Sequence, residues 1–174
     1  MIAYHDTEWG TPQHDDRRLF ELLSLEGAQA GLSWRTILDR RHEYRCAFHD
    51  FDIARVAAMT DAELEEVLRN SGVIRNRMKV FSVRTNARAA LAAIAEHGSL
   101  DAHLWSFVSG KPVVNRWQNA AQVPASTEAS DRMSKALRKA GFGFVGTTIC
   151  YAFMQATGIV DDHLASCFRA WPGG

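Results

Sequence analysis

A chain of 174 residues that is 47% apolar can bury a substantial core in one domain and is too apolar for disorder. Twenty Lys and Arg balance twenty Asp and Glu, so overall charge does not point to nucleic acid, and no apolar run approaches the ~20 residues of a membrane helix, which excludes a membrane partner. The opening MIAYHDTEWG lacks the basic start and apolar stretch of a secretory signal, and Cys46, Cys150 and Cys167 form no CxxC. Both features point to a reducing cytoplasm rather than a disulfide-built fold.

In chain order, most segments carry the helical period. Asp15 to Ala30 spaces Leu19, Phe20, Leu22 and Leu23 as a helix does, and a second helix starts near Ser33 with Trp34, Ile37 and Leu38. Thr60 to Glu63 is a capping box for a short helix ending near Gly72. Asn76 to Glu96 is a long Ala- and Arg-rich helix with Val80, Phe81, Val83, Ala87 and Leu91 as its buried stripe, and Asp101 to Val108 is another short helix. Lys111 to Thr127 holds Pro112 and Pro124 and reads as a loop-rich connection. From Glu128 to Ala140, Met133, Ala136, Leu137 and Ala140 share one side of a helix; Arg132, Lys135, Arg138 and Lys139 share the other. Few runs alternate with period two. The expected fold is all-α, one domain over 1–174, opened into two lobes around a cleft.

Three places carry chemistry. In GFGFVG, Gly141, Gly143 and Gly146 allow close backbone approach, Thr147 opens the next helix, and basic residues up to Lys139 lie just upstream. Free N–H groups and a helix dipole aimed at one point favour a phosphate. The same spacing also suits a plain tight turn with Phe142, Phe144 and Val145 in the core. His163 and Cys167, four apart, present an imidazole and a thiolate on one helix face, a half-site for zinc that His5 would extend to three ligands. Cys46 and Cys150 lie in apolar contexts that suggest the core. Glu26 sits in the apolar stretch LEGAQAGLSW, with Tyr4, Trp9 and Trp34 as neighbouring aromatics. A carboxylate there is exposed, paired or functional; beside aromatic faces it suits a flat, electron-poor base.

Taken together, AYHDTEWG (Ala3 to Gly10), LEGAQAGLSW (Leu25 to Trp34), FVGTTICYAFMQATG (Phe144 to Gly158) and DDHLASC (Asp161 to Cys167) resemble the DNA-3-methyladenine glycosylase I family of bacterial base-excision enzymes. YRCAFHDFD (Tyr44 to Asp52) and SDRMSKALRKAGF (Ser130 to Phe142) extend the resemblance over essentially the whole chain. It implies a helix-hairpin-helix fold, with that motif at about 130–157, and a monomer acting on alkylated double-stranded DNA. It implies removal of 3-methyladenine by N-glycosidic hydrolysis after base flipping. Glu26 would contact the base, Tyr4 and Trp34 would stack around it with Trp9 nearby, and Leu32 would enter the duplex. Gly141, Gly143, Gly146, Thr147 and Lys139 would hold the DNA backbone.

His5, His163 and Cys167 would ligate a structural zinc. Family members carry a Cys-Gly-Trp segment further upstream that supplies the fourth ligand; this chain opens at Met1-Ile2-Ala3-Tyr4. Asp161 stands near the position where other helix-hairpin-helix glycosylases keep an essential acid. Two other readings use the same residues: a lesion binder of this fold that has lost excision, and a hydrolase with a catalytic zinc held by His5, His163, Asp161 or Asp162.

Overall fold

In the computed structural model, which describes residues 1–170, ten α-helices account for most of the chain. They are α1 (Ile2–Thr7), α2 (Asp16–Gln29), α3 (Trp34–Leu38), α4 (Arg41–Ala47), α5 (Ile53–Ala58), α6 (Asp61–Asn70), α7 (Arg77–His97), α8 (Leu100–Trp105), α9 (Glu128–Lys139) and α10 (Thr147–Ala156). Two short strands, β1 (Val113–Val114) and β2 (Val160–Asp161), pair in parallel. The fold is all-α, as the sequence predicts.

Helix α2 is the hub. Every residue from Leu19 through Ala28 is buried, because α10, α7, α8 and α3 surround it. A helix enclosed on all sides should be apolar all round, yet α2 buries Glu21, Ser24 and Glu26. Glu21 is paired: its carboxylate accepts from Arg41 Nε at 2.6 Å, Arg45 Nε at 2.7 Å and Arg18 Nη1 at 2.7 Å. Burial works against its charge, but those bonds hold the carboxyl below the usual carboxylate range. Arg41 also forks onto Glu8 with two bonds of 2.7 Å, tying the segment after α1 to α2.

The start signals read from the sequence are the ones used. Asp15, Ser33, Thr60 and Asn76 accept from the first turns of α2, α3, α6 and α7, and Thr60 with Glu63 forms the full capping box. Gly141, at φ +94, closes α9 in a Schellman turn: Phe142 N–H donates to Leu137 O and Gly141 N–H to Arg138 O, both at 3.0 Å.

Several expectations need correction. Leu91 is exposed and Phe81 only partly covered, because α7 packs against α5 and α8 and leaves that side open. Cys46 is exposed on α4 beside His42, while Cys150 is buried as expected. Asp101 to Val108 divides into α8 and a 3₁₀ turn, and α6 stops at Asn70. The cations between Arg69 and Arg88, a stretch with no acid in it, are engaged inside the protein. Arg77 and Arg84 pair with Glu65 and Asp61 of α6, and Arg84 and Arg88 bond the carbonyls of Met59 and Ala57.

Removing one member of a buried ion network strands its partners. Arg41→Ala should therefore lower unfolding free energy by about 3–5 kcal/mol, whereas Arg18→Ala, at the exposed end of the network, should cost under about 1 kcal/mol. Urea denaturation of both variants measures the difference.

Candidate functional site

Glu26 lies on the same helix as Glu21 and has the opposite environment. It is 3% exposed, and its Oε2 has no hydrogen-bond partner. Among the other buried polar atoms without a partner are the Tyr4 hydroxyl and Trp34 Nε1. Tyr4 and Trp34 are in ring contact, with centroids 5.6 Å apart and planes tilted by 49°. Burial, then the charges of Glu26 and Glu8, raise the Tyr4 hydroxyl above its ordinary range, which puts Glu26 within electrostatic reach of it. Burial alone pushes the Glu26 carboxyl up to about 8. The group thus offers, without protein partners, an acceptor, a donor and a hydroxyl that can act as either.

In one respect the site differs from its expected form. The Tyr4 and Trp34 rings touch each other, so a base sandwiched between them has to move one aside; apolar faces without another partner pack together. Trp9 adjoins the same group through its backbone, its N–H donating to Tyr4 O at 2.9 Å, while its ring turns to the histidines. It stands edge-on to His163 at 4.6 Å and stacks with His5 at 6.1 Å.

Leu32 is on the turn joining α2 to α3, between Glu26 and Trp34 in the chain. Gly31 makes that turn at φ +80, and Leu32 is 39% exposed. Lys79 Nζ, from α7, donates to Ala28 O at 2.9 Å and Ala30 O at 2.5 Å, closing the carbonyl end of α2.

The turn between α9 and α10 is tied down from α7. Gly143 N–H donates to Asn86 Oδ1 at 2.7 Å and Asn86 Nδ2 donates to Gly143 O at 3.1 Å, so this amide is committed inside the protein. Phe142 and Val145 are buried, and Phe144, at φ +55, packs against Gly27 beside Glu26. Gly146 caps α10 without a side chain, which leaves the first-turn amides to whatever approaches. The Thr147 hydroxyl is used by Asp131 and Ser130. Lys135 and Arg138 share a hollow with Thr147, whereas Lys139 faces a separate groove with Glu96, His97 and His103. Of the basic residues on α9, Lys135 and Arg138 therefore stand at the turn and Lys139 does not.

At the opposite side of α1, one ligand atom each from His5, His163 and Cys167 lie within 4.8 Å of one another. His163 Nε2 is buried and unpartnered, while its Nδ1 donates to Asp161 Oδ1 at 2.6 Å. His5 Nδ1 meets Asp6 at 2.7 Å and turns Nε2 toward Cys167 Sγ, 3.5 Å away. Two imidazoles, each oriented by a carboxylate, and one thiol fit a zinc ion, which takes four such ligands. Asp161 is thus occupied in aiming His163. Asp162 accepts from Asn115, Trp117, Tyr151 and Gln155 and has no lone pair left to activate water.

A family model described as methyladenine glycosylase matches residues 1–170. DNA-3-methyladenine glycosylase 1 of Escherichia coli (strain K12) is 49% identical over 172 residues, 99% of this chain and 91% of that protein. DNA-3-methyladenine glycosylase of Haemophilus influenzae is 49% identical over 166 residues, 95% of this chain and 90% of that protein. The solved 3-methyladenine DNA glycosylase I of Staphylococcus aureus, a structure concerned with 3-methyladenine recognition, superposes with a TM-score of 0.97 at 34% identity and covers 99% of this chain and 92% of that one.

An unpaired buried carboxyl leaves a stability signature. Below the ordinary value of 4.5 it is protonated folded and unfolded alike; above that, the unfolded chain ionises first, and the folded state loses about 1.4 kcal/mol per pH unit until about 8. Glu26→Gln should therefore raise the melting temperature relative to the parent at pH 7.5, and the gain should shrink to nothing near pH 4.5. Thermal denaturation across that window measures it.

Proposed function

Because the chain belongs to the methyladenine glycosylase family, and is a DNA glycosylase of base-excision repair, we propose that its Glu26, Tyr4 and Trp34 receive a flipped 3-methyladenine and that it acts as a monomer on alkylated duplex DNA. The observation that carries this reading is that Glu26 Oε2, the Tyr4 hydroxyl and Trp34 Nε1 are buried and unpartnered, with the Tyr4 and Trp34 rings in contact and Glu26 within electrostatic reach of Tyr4.

N3-methylation leaves the adenine cationic, so the base departs readily once it is oriented. Taking it out of the stack costs a few kcal/mol, less at a damaged pair. The tryptophan and tyrosine faces return part of that through stacking and attraction for the cation. Glu26 accepts from the exocyclic amine and, once the cation is bound, is drawn toward its ionised form. Selectivity follows from charge: a neutral adenine leaves the carboxyl buried without compensation. Leu32 fills the space that the base vacates. Water then attacks the sugar as the bond to the base breaks, with no aspartate acting as general base, since Asp161 and Asp162 are engaged elsewhere.

The α9–α10 turn serves as a helix-hairpin-helix grip on a DNA phosphate. Its donors are the uncapped first-turn amides of α10, with Lys135 and Arg138 alongside. His5, His163 and Cys167 hold zinc, which ties α1, and with it Tyr4, to the segment after β2. A catalytic metal is disfavoured because this cluster includes Trp9 and not Glu26.

Two outcomes follow. For a cationic lesion, kcat/KM should rise with pH and level off near 8, the value of free Glu26, while the same limb of kcat should lie at lower pH because the bound cation favours ionisation. Glu26→Gln should lose both limbs; a profile unchanged by that substitution removes Glu26 from the site. Chelation should release a stoichiometric equivalent of zinc and lower the melting temperature without changing the excision rate of protein that remains folded; abolished excision in folded protein would restore the catalytic-zinc reading.

A further inference from the structure

We propose that Lys79 and Asn86 are positioning residues that together brace Leu32 against the hairpin. The inference rests on the reading of Leu32 as the residue that enters the duplex and of the α9–α10 turn as the phosphate grip. The two side chains are seven residues apart on α7, two turns along one face and about 10 Å along the axis. Ser82, between them, has its Cβ 3.5 Å from where a Gly143 Cβ would stand, so this face of α7 runs directly under the hairpin.

At one end, Lys79 Nζ bonds the carbonyls of Ala28 and Ala30, the last fixed points before Gly31 and Leu32. At the other, Asn86 holds Gly143 by both its N–H and its C=O. Asn86 is buried, and its amide has the two-sided geometry to fix a peptide in position and orientation. Lys79 has an ammonium between two carbonyls at the negative end of a helix, a use of charge that needs no phosphate. Excision from duplex DNA requires two events in register: the backbone gripped at the hairpin, and an apolar side chain entering the stack at the lesion. A rigid helix linking those points sets the spacing between them.

The test is a double-mutant cycle on Lys79→Met and Asn86→Ala, read by single-turnover release of 3-methyladenine from duplex DNA at saturating enzyme. Each single variant should slow release about ten- to a hundred-fold, as misplacement does. The double variant should be no slower than the worse single, because losing either end already frees the spacing. Affinity for free 3-methyladenine should stay at the parent value in all three. Rates that multiply in the double variant mean two separate local supports and overturn the brace, as do parent-like rates in the singles or a loss of free-base affinity.

Lys79→Met should also leave the slope of log Kd against log salt unchanged; a slope smaller by about one would make Lys79 a phosphate contact and overturn the proposal. Should Asn86→Ala fail to fold, Asn86→Asp, which keeps the acceptor for Gly143 N–H and loses the donor, takes its place. Leu32→Ala separates this inference from its premise. If it leaves duplex release at the parent rate, the duplex-entering role of Leu32 is wrong, whereas the brace is judged by the cycle alone.

Discussion

A carboxyl group folded into the protein interior without a partner sets the terms for the rest of this molecule. Glu26 Oε2, with the Tyr4 hydroxyl and Trp34 Nε1, gives up its water and receives no protein bond in return. Each such group costs about 1–3 kcal/mol, and a chain keeps such a cost only where the surrounding structure over-determines it. That surrounding structure is visible here. Arg41 clamps the α1 segment to α2 through Glu8 and Glu21, and His5 of α1 lies against His163 and Cys167. Lys79 closes the end of α2, and Phe144 of the hairpin packs on Gly27, the residue after Glu26. The Glu26 group, the Leu32 turn and the α9–α10 turn thus share α2 and α7 as their frame.

The contrast between Glu21 and Glu26 shows how one helix carries a paired and an unpaired buried carboxyl five residues apart. Glu21 meets three arginines and stays ionised. Glu26 meets none, and burial holds its proton to about pH 8. On the proposed reading a cationic base would supply the missing countercharge, making recognition and ionisation one event. This is a discrimination that a purely apolar slot cannot make, because stacking alone accepts any flat ring. The touching rings of Tyr4 and Trp34 add a second condition, since entry of the base must be worth more than the contact it displaces.

Much of the frame was legible in the chain. Helix starts were readable at Asp15, Ser33, Thr60 and Asn76 because caps are local chemistry, written within four residues of where they act. The Glu26 anomaly was visible as a carboxylate in an apolar run, though only burial and the absence of a partner distinguish it from Glu21. The long-range pairings were not legible. Nothing near Asn86 announces that it holds a glycine 57 positions later, and nothing between Arg69 and Arg88 announces that Arg77 and Arg84 pair with the acids of α6. The place of Trp9 was legible only in part: its ring neighbour in space is His163, from the far end of the chain. Lys139 was the basic residue nearest the hairpin in sequence, but the helical period turns it away from Thr147 and leaves Lys135 and Arg138 there instead.

The most direct test is a carbon-13 NMR titration of the Glu26 side-chain carboxyl, in the free protein and in the presence of an N3-methylated adenine cation. The free protein should titrate near pH 8 at this one carbon, and the ligand should move the midpoint down. A midpoint in the ordinary carboxylate range in the free protein, unmoved by the ligand, would contradict the account, because Glu26 would then be solvated or paired and no charge would be missing from the pocket.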